Sequence, residues 1–426
     1  MRKKGPPKSP VTGVFRLRNT IQEYAWGSRS AIAELLGRSS PADKPQAELW
    51  MGAHPKAPSR VLLEDGGELS LAELIARDPP GILGPAVAAK FSGHLPFLFK
   101  VLAAAQPLSI QAHPNLEQAR AGFRRENELG IPRDAFRRNY RDENHKPEVI
   151  SALTPFWAFN GFRPIPEMLD LLRSVGFSSI GKQITAFGEH PNGGGLKTFF
   201  ASLMNLDAET REGAIQEALA WAERQQGGQS QPVDGGPRRP SAEYRMAVPC
   251  WLLRLAELYP GDIGVLSPLL LNLLLLQPGD TMFLQAGVLH AYLEGTGIEL
   301  MANSDNVIRG GLTPKHVDVD ELLSILRFEG RAVRLAESSE TAPGQRVFHT
   351  PAEEFRLAEI QVYPNQPYRS PGSGTIELMI IVEGEGRIET TASLALGKGD
   401  SLLVPASTGP YAMHGSLHLY KACVPL

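Results

Sequence analysis

The sequence predicts a mainly β protein with an α-helical insertion, built as two β-barrel units, and three observations carry that expectation. Strand-turn-strand patterning with a histidine runs through residues 279–315, a block of helical periodicity spans 164–259, and the turn signal of the first region recurs 120 residues later in a strand-rich C-terminal segment. The expected division is 1–153 and 262–335 for a first barrel, 154–261 for a helical domain and 336–426 for a second barrel.

A chain of 426 residues, at about 150 per domain, suits two or three domains. Apolar content of 42% and charged content of 21% allow a core in each. The net charge of −3 argues against a nucleic-acid partner. Two cysteines, Cys250 and Cys423, supply neither a disulfide framework nor a thiolate metal site, and fit the reducing cytoplasm that is the expected location. Any metal must then be held by nitrogen and oxygen ligands. The longest apolar run, 265–276, is interrupted by Ser267, Pro268 and Asn272 and falls short of the roughly 20 residues of a membrane span. Residues 1–9 are basic without the apolar stretch of a signal peptide and read as a disordered tail.

Taken in order, residues 14–19 alternate as a strand and 31–36 read as a helix. Residues 47–58 bring Glu48, His54 and Lys56 together between turn-formers, and helical patches fill 69–76 and 84–90. Residues 97–102 and 108–112 read as the two strands of a hairpin turned at Gln106 and Pro107. Strand alternation puts Ser109, Gln111 and His113 on one face. Residues 115–139 are charged and helical in pattern, with a second piece at 134–138. Pro147 keeps Lys146 extended, so Lys146 and Glu148 project to one side ahead of the strand at 149–150. Helices are expected at 166–174, 196–206, 209–225 and 245–259, with a mobile surface loop at 226–240. The helix at 317–326 opens at Asp318 or Asp320.

Between these elements lies the informative stretch. Gly279, five residues, a turn position at Gln285, Ala286, Gly287, two residues and His290 resemble the second motif of the cupin barrels, double-sheet jelly rolls in which that histidine is a metal ligand. Gln285 stands where the motif has proline and Glu294 where it has asparagine. The C-terminal echo, with Gly399, Asp400 and Pro405 at matching places, has Pro410 where the histidine would be, so the second barrel is expected to be cupin-like without a metal site. Collected by chemistry, Gln111, His113, Glu148 and His290 offer an amide oxygen, two imidazoles and a carboxylate. That set suits Zn²⁺, with Mn²⁺ or Fe²⁺ also compatible.

At this point the chain resembles the type I phosphomannose isomerases. The blocks that carry the resemblance begin at Tyr24, Ala47, Phe97, Leu108, Asp142, Gly287 and Asn306 and end at Lys315, in order over about 300 residues. The resemblance implies one zinc per chain held by Gln111, His113, Glu148 and His290, an active-site Arg309, and interconversion of mannose 6-phosphate and fructose 6-phosphate. Aldose–ketose isomerisation needs a base beside C1 and C2, for which Glu294, Lys146, His54 and Asp305 are candidates, and a positive group beside the two oxygens. The phosphate needs fixed donors, for which Arg309, Lys315, Lys100 and Ser109 are candidates, although Lys100 could instead pair with a buried Glu48. Trp26 and Tyr292 could wall the sugar. The expected partner is a small hexose 6-phosphate, with no membrane and no nucleic acid, and the expected state is a monomer. The rival readings are a cupin Fe(II) oxygenase, which leaves Arg309 and Lys315 without a role, and a sugar-phosphate-binding cupin with no turnover.

Overall fold

The structure, a computed structural model, describes residues 12–63, 66–227 and 242–426. The expected basic tail and most of the 226–240 loop lie outside them. Two large antiparallel sheets and one helical block make up the described residues. Among them no helix is long and apolar enough to cross a membrane.

The sheet that carries the informative stretch is organised by one long strand, His290–Ala302. Its second half pairs on one edge with Phe97–Ala104 and on the other with Glu148–Ala152, and near its start it pairs with Ile110–Ala112 and Phe156–Phe162. Four partners for one strand mean that the sheet folds over on itself, which is how a jelly roll closes. The strand's entry is fixed by Gly287, whose φ of 75° is the left-handed region and whose Cβ would meet the Ile325 carbonyl at 2.6 Å. The Gly287 N–H donates to the His113 carbonyl at 2.8 Å, so this turn is tied to the second histidine as well.

The helical block leaves this sheet after Phe156–Phe162 and returns at Leu271–Leu276, and those two strands pair antiparallel. Its helices are Ile165–Val175, Gly181–Glu189, Gly193–Met204, Ala208–Gly227 and Ala242–Leu258. They bury Met168, Leu172, Phe187 and Trp251 in one cluster with the sheet residues Phe159, Phe162, Leu289 and Ala291. Each such side chain contributes on the order of 1.5–3 kcal/mol when fully buried.

The second sheet holds the C-terminal strands, and the strand that echoes Thr281–Leu284 is Ser401–Val404. The first strand of the chain, Phe15–Arg18, pairs with Ser401–Val404 and continues through Arg60–Leu62 and Glu68–Ser70. The N-terminal segment therefore serves both sheets rather than the first alone. Between the sheets, Phe97, Phe99 and Val101 share a core with Leu378, Ile380, Leu403 and Tyr420.

Two expectations need correction. Phe97–Ala104 and Ile110–Ala112 do not form a hairpin: the first pairs with Glu48–Gly52 and His290–Ala302, the second with His290 and with Ile308–Gly311. The turn's backbone is claimed from elsewhere, with Ala105 N–H donating to Trp26 O at 2.9 Å and Leu108 N–H to Tyr292 O at 2.8 Å. The helix after His113 is Leu116–Glu128, set by a reciprocal cap between Asn115 and Gln118. The expected second piece at 134–138 is not helical, because Arg138 turns inward to pair with Glu126 at 2.8 Å and to donate to Tyr140 O.

Candidate active site

His113, just past the strand Ile110–Ala112, and Glu148 and His290, the first residues of two other strands, present ligand atoms within 4.8 Å of one another. All three side chains are at most 2% exposed. His113 Nε2 stands 3.4 Å from one Glu148 carboxylate oxygen and His290 Nε2 stands 3.3 Å from the other. The far ring nitrogens face backbone carbonyls, His113 Nδ1 with Asn306 O at 2.8 Å and His290 Nδ1 with Val288 O at 2.9 Å. Donation from Nδ1 leaves each Nε2 with a lone pair turned toward the carboxylate, the tautomer a metal requires.

Gln111 lies beside the group, on the strand that leads to His113. Its amide nitrogen is 3.4 Å from His290 Nε2, and a half-turn of the amide brings its oxygen to that place. His113 Nε2 and one Glu148 oxygen are buried without a hydrogen bond. Buried polar atoms rarely stay so, and a divalent cation among these four residues would satisfy both. Burial pushes His113 down to about 4 against the pull of Glu148, so its ring is neutral near pH 7. Burial opposes the Glu148 charge, but Lys146, His113 and His290 outweigh it and hold the carboxyl well below its usual range. The neutral His113 imidazole and the ionised Glu148 carboxylate are ready to bind a cation without losing a proton first.

With this geometry the comparisons fall into place. The family model for the type I phosphomannose isomerase catalytic domain matches residues 14–165, the type I helical insertion domain 178–271, and the mannose-6-phosphate isomerase cupin domain 346–424. The mannose-6-phosphate isomerase of Escherichia coli K12 is 41% identical over 402 residues, covering 94% of this chain and 97% of that protein. This chain belongs to the type I phosphomannose isomerase family. The human mannose-6-phosphate isomerase is 34% identical, covering 92% of this chain and 94% of that protein. A zinc-bound crystal structure of mannose 6-phosphate isomerase superimposes with a TM-score of 0.85 at 39% identity, covering 97% of this chain and all of that one. A mutant of phosphomannose isomerase from Salmonella typhimurium gives 0.87 with the same coverage.

The remaining candidates fall into groups. Lys146 lies beside the metal group, its Nζ 3.0 Å from Glu148. His54 and Asp305 face each other at 3.8 Å, with Lys56 on the second Asp305 oxygen at 2.7 Å. His54 Nδ1 accepts from the Lys56 N–H at 3.3 Å, which leaves Nε2 to carry the proton toward Asp305. Burial lowers the His54 pKa below its ordinary value. Glu294 is apart from these: it is 45% exposed and paired with Arg254. Tyr292 is buried edge-on against Phe156 in an apolar cluster, whereas Trp26 is half-buried and stacked on Tyr24.

Lys100 is in a buried ion pair. Its Nζ lies 2.8 Å from Glu299 and 3.4 Å from Glu48, and Glu48 also accepts from the Trp50 indole at 2.7 Å. Burial opposes the Lys100 charge, but Glu299 and Glu48 outweigh it and hold the pKa above the usual lysine value. Ser109, another of the candidates, is half-buried. Register fixes where Arg309 stands: it pairs with Gln111, which pairs with His290. Paired residues share a face, so Arg309 lies on the metal's side of the sheet, two strand spacings or about 10 Å from His290.

Two residues absent from the sequence expectations belong here. Glu299 is an acid in the apolar second half of its strand, opposite Lys100, and that complementarity was the signal available. Asn306 is fully buried and ties the loop through Asp142 and Asn144 to the carbonyl that holds His113.

Proposed function

We propose that the chain interconverts D-mannose 6-phosphate and D-fructose 6-phosphate at one zinc ion held by Gln111, His113, Glu148 and His290. The observation that carries this is the buried His113–Glu148–His290 group with two unsatisfied ligand atoms. When bound, zinc supplies a Lewis acid beside O1 and O2 of the sugar. The reaction moves one proton from C2 to C1 through an enediol while another passes from O2 to O1. Asp305, which Lys56 keeps ionised against burial and which the His54 Nε2–H faces, is the base for the carbon-bound proton. Lys146 donates to the oxygens and returns the proton between them. Arg309 and Lys315 hold the phosphate at the far end, which fixes C1 and C2 against the base.

The test is to incubate purified, zinc-loaded protein with mannose 6-phosphate and follow fructose 6-phosphate. Turnover that a chelator abolishes and zinc restores supports the reading. Saturable binding of the sugar phosphate without product, or iron-dependent oxygen uptake, refutes it in favour of the rival classes.

A further inference from the structure

Arg309 stands on the Gln111 side of the site, and Arg141 is tied by its backbone to Asn306, three residues before Arg309. Arg309 lies on the strand beside Gln111, and Lys315 follows six residues later. The chain between them is held in a constrained shape. Leu312 takes the left-handed conformation at φ 52°, and the Thr313 N–H donates to Asp262 Oδ2 at 3.1 Å. Arg141 arrives on the loop ahead of Glu148, where its N–H donates to Asn306 Oδ1 at 2.7 Å. Asn306 is also the residue whose carbonyl faces His113, so Arg141 is anchored through one residue to the metal group.

None of the three side chains has a carboxylate within ion-pair distance among the described residues. They act on each other instead. Burial and then Arg141 lower the Arg309 pKa, and burial followed by Arg309 and Arg141 lowers that of Lys315. Three cations held together without a counter-charge destabilise the empty site and favour a dianion that neutralises them.

We propose that Arg141 is the third cation of the substrate's phosphate site and, with Arg309 and Lys315, sets affinity for the phosphorylated sugar. This rests on the isomerase reading for the identity of the sugar and, for the anion, on the backbone ties that bring Arg141 beside the Arg309 strand together with the mutual influence of the three charges. Substitution leaves the Arg141 backbone N–H in place, so the Asn306 contact and the metal loop persist and the charge is what changes.

The test measures Arg141→Lys, Arg141→Ala and Arg141→Glu in the zinc-loaded full chain, by calorimetric titration with fructose 6-phosphate and by kinetics with mannose 6-phosphate. Zinc content and melting temperature serve as controls. Affinity should fall in the order Arg, Lys, Ala, Glu, with a loss of about ten- to a hundredfold at alanine, most of it in KM. Variants that all bind like the native chain, or that all lose the same amount whatever their charge, overturn the proposal. If alanine or glutamate fails to fold, lysine against arginine still decides: equal affinity and KM in the two would exclude a fork-shaped contact to phosphate. A native chain that binds fructose 6-phosphate but turns over no mannose 6-phosphate sinks the isomerase reading while the charge order still tests Arg141. A native chain that does not bind fructose 6-phosphate sinks both.

Discussion

His113 is held at its far nitrogen by the Asn306 carbonyl, 2.8 Å away, and the Asn306 side chain in turn gathers Arg141, Asp142 and Asn144. One buried amide thus sets the orientation of a metal ligand and the path of the loop that delivers Lys146 and Glu148. Asn306→Ala removes the amide but keeps the carbonyl, and frees that loop. We expect zinc affinity to drop about ten- to a hundredfold, read by competition with a chromogenic chelator, and stability to fall by about 2 kcal/mol. Unchanged zinc affinity would assign Asn306 a purely architectural role.

Lys100 faces two buried carboxylates, so its removal is more damaging than its distance from the metal suggests. Lys100→Met leaves Glu48 and Glu299 without their cation in a site from which water is excluded. A loss of about 3–5 kcal/mol in urea unfolding is expected. Replacing the trio together by Met, Gln and Gln should recover much of it. A single variant as stable as the native chain would mean that the ion pair contributes nothing.

Acid should loosen the metal-free protein through His113. Its imidazole titrates near 6.5 in the unfolded chain but only at about 4 in the folded one. Above 6.5 both forms are neutral. As the pH falls from 6.5 to 4 the unfolded chain takes up a proton that the folded chain refuses, so stability is lost across that window, on the order of 3 kcal/mol at most. Calorimetric scans of zinc-free His113→Asn against the native chain should show a shallower pH slope for the variant. Parallel slopes would contradict the burial argument.

The C-terminal unit reaches the loop that delivers Lys146 and Glu148 through Glu354, which lies 2.6 Å from the His145 ring. Burial opposes the Glu354 charge, but the His145 contact outweighs it and keeps the carboxyl ionised below its usual range. Glu354→Gln keeps the shape and weakens the charge. A two- to tenfold fall in kcat with zinc content unchanged is expected, which corresponds to about 0.5–1.4 kcal/mol. Native kcat in this variant would detach the C-terminal unit from the chemistry.

The parts of the site that could be read from sequence are those written in local spacing. Gly279, Gly287 and His290 are close enough for turn chemistry to announce the strand, and Gln111 with His113 shares a face by alternation alone. The ion pair of Lys100 with Glu299 spans 199 positions, and each residue reads as an anomaly in an apolar run until the other is beside it. The hairpin expected at Gln106 failed for the same reason. The chain does bend there, but hydrogen bonds from the Ala105 and Leu108 N–H groups to the Trp26 and Tyr292 carbonyls decide where the next strand goes. Arg138 looked like one more charge in a helical run, and only the position of Glu126 explains why it turns inward. Phe15–Arg18 was recognisable as a strand, yet its partner Ser401–Val404 is close to the other end of the chain.

The helical block departs from Phe156–Phe162 and comes back on Leu271–Leu276, and those two strands lie side by side as an antiparallel pair. Exit and re-entry are therefore neighbours, like the two ends of a handle fixed to one wall. Growth, shortening or wholesale exchange of what hangs between them need not tug on the pocket, and this gives related enzymes a place to diversify without renegotiating their chemistry.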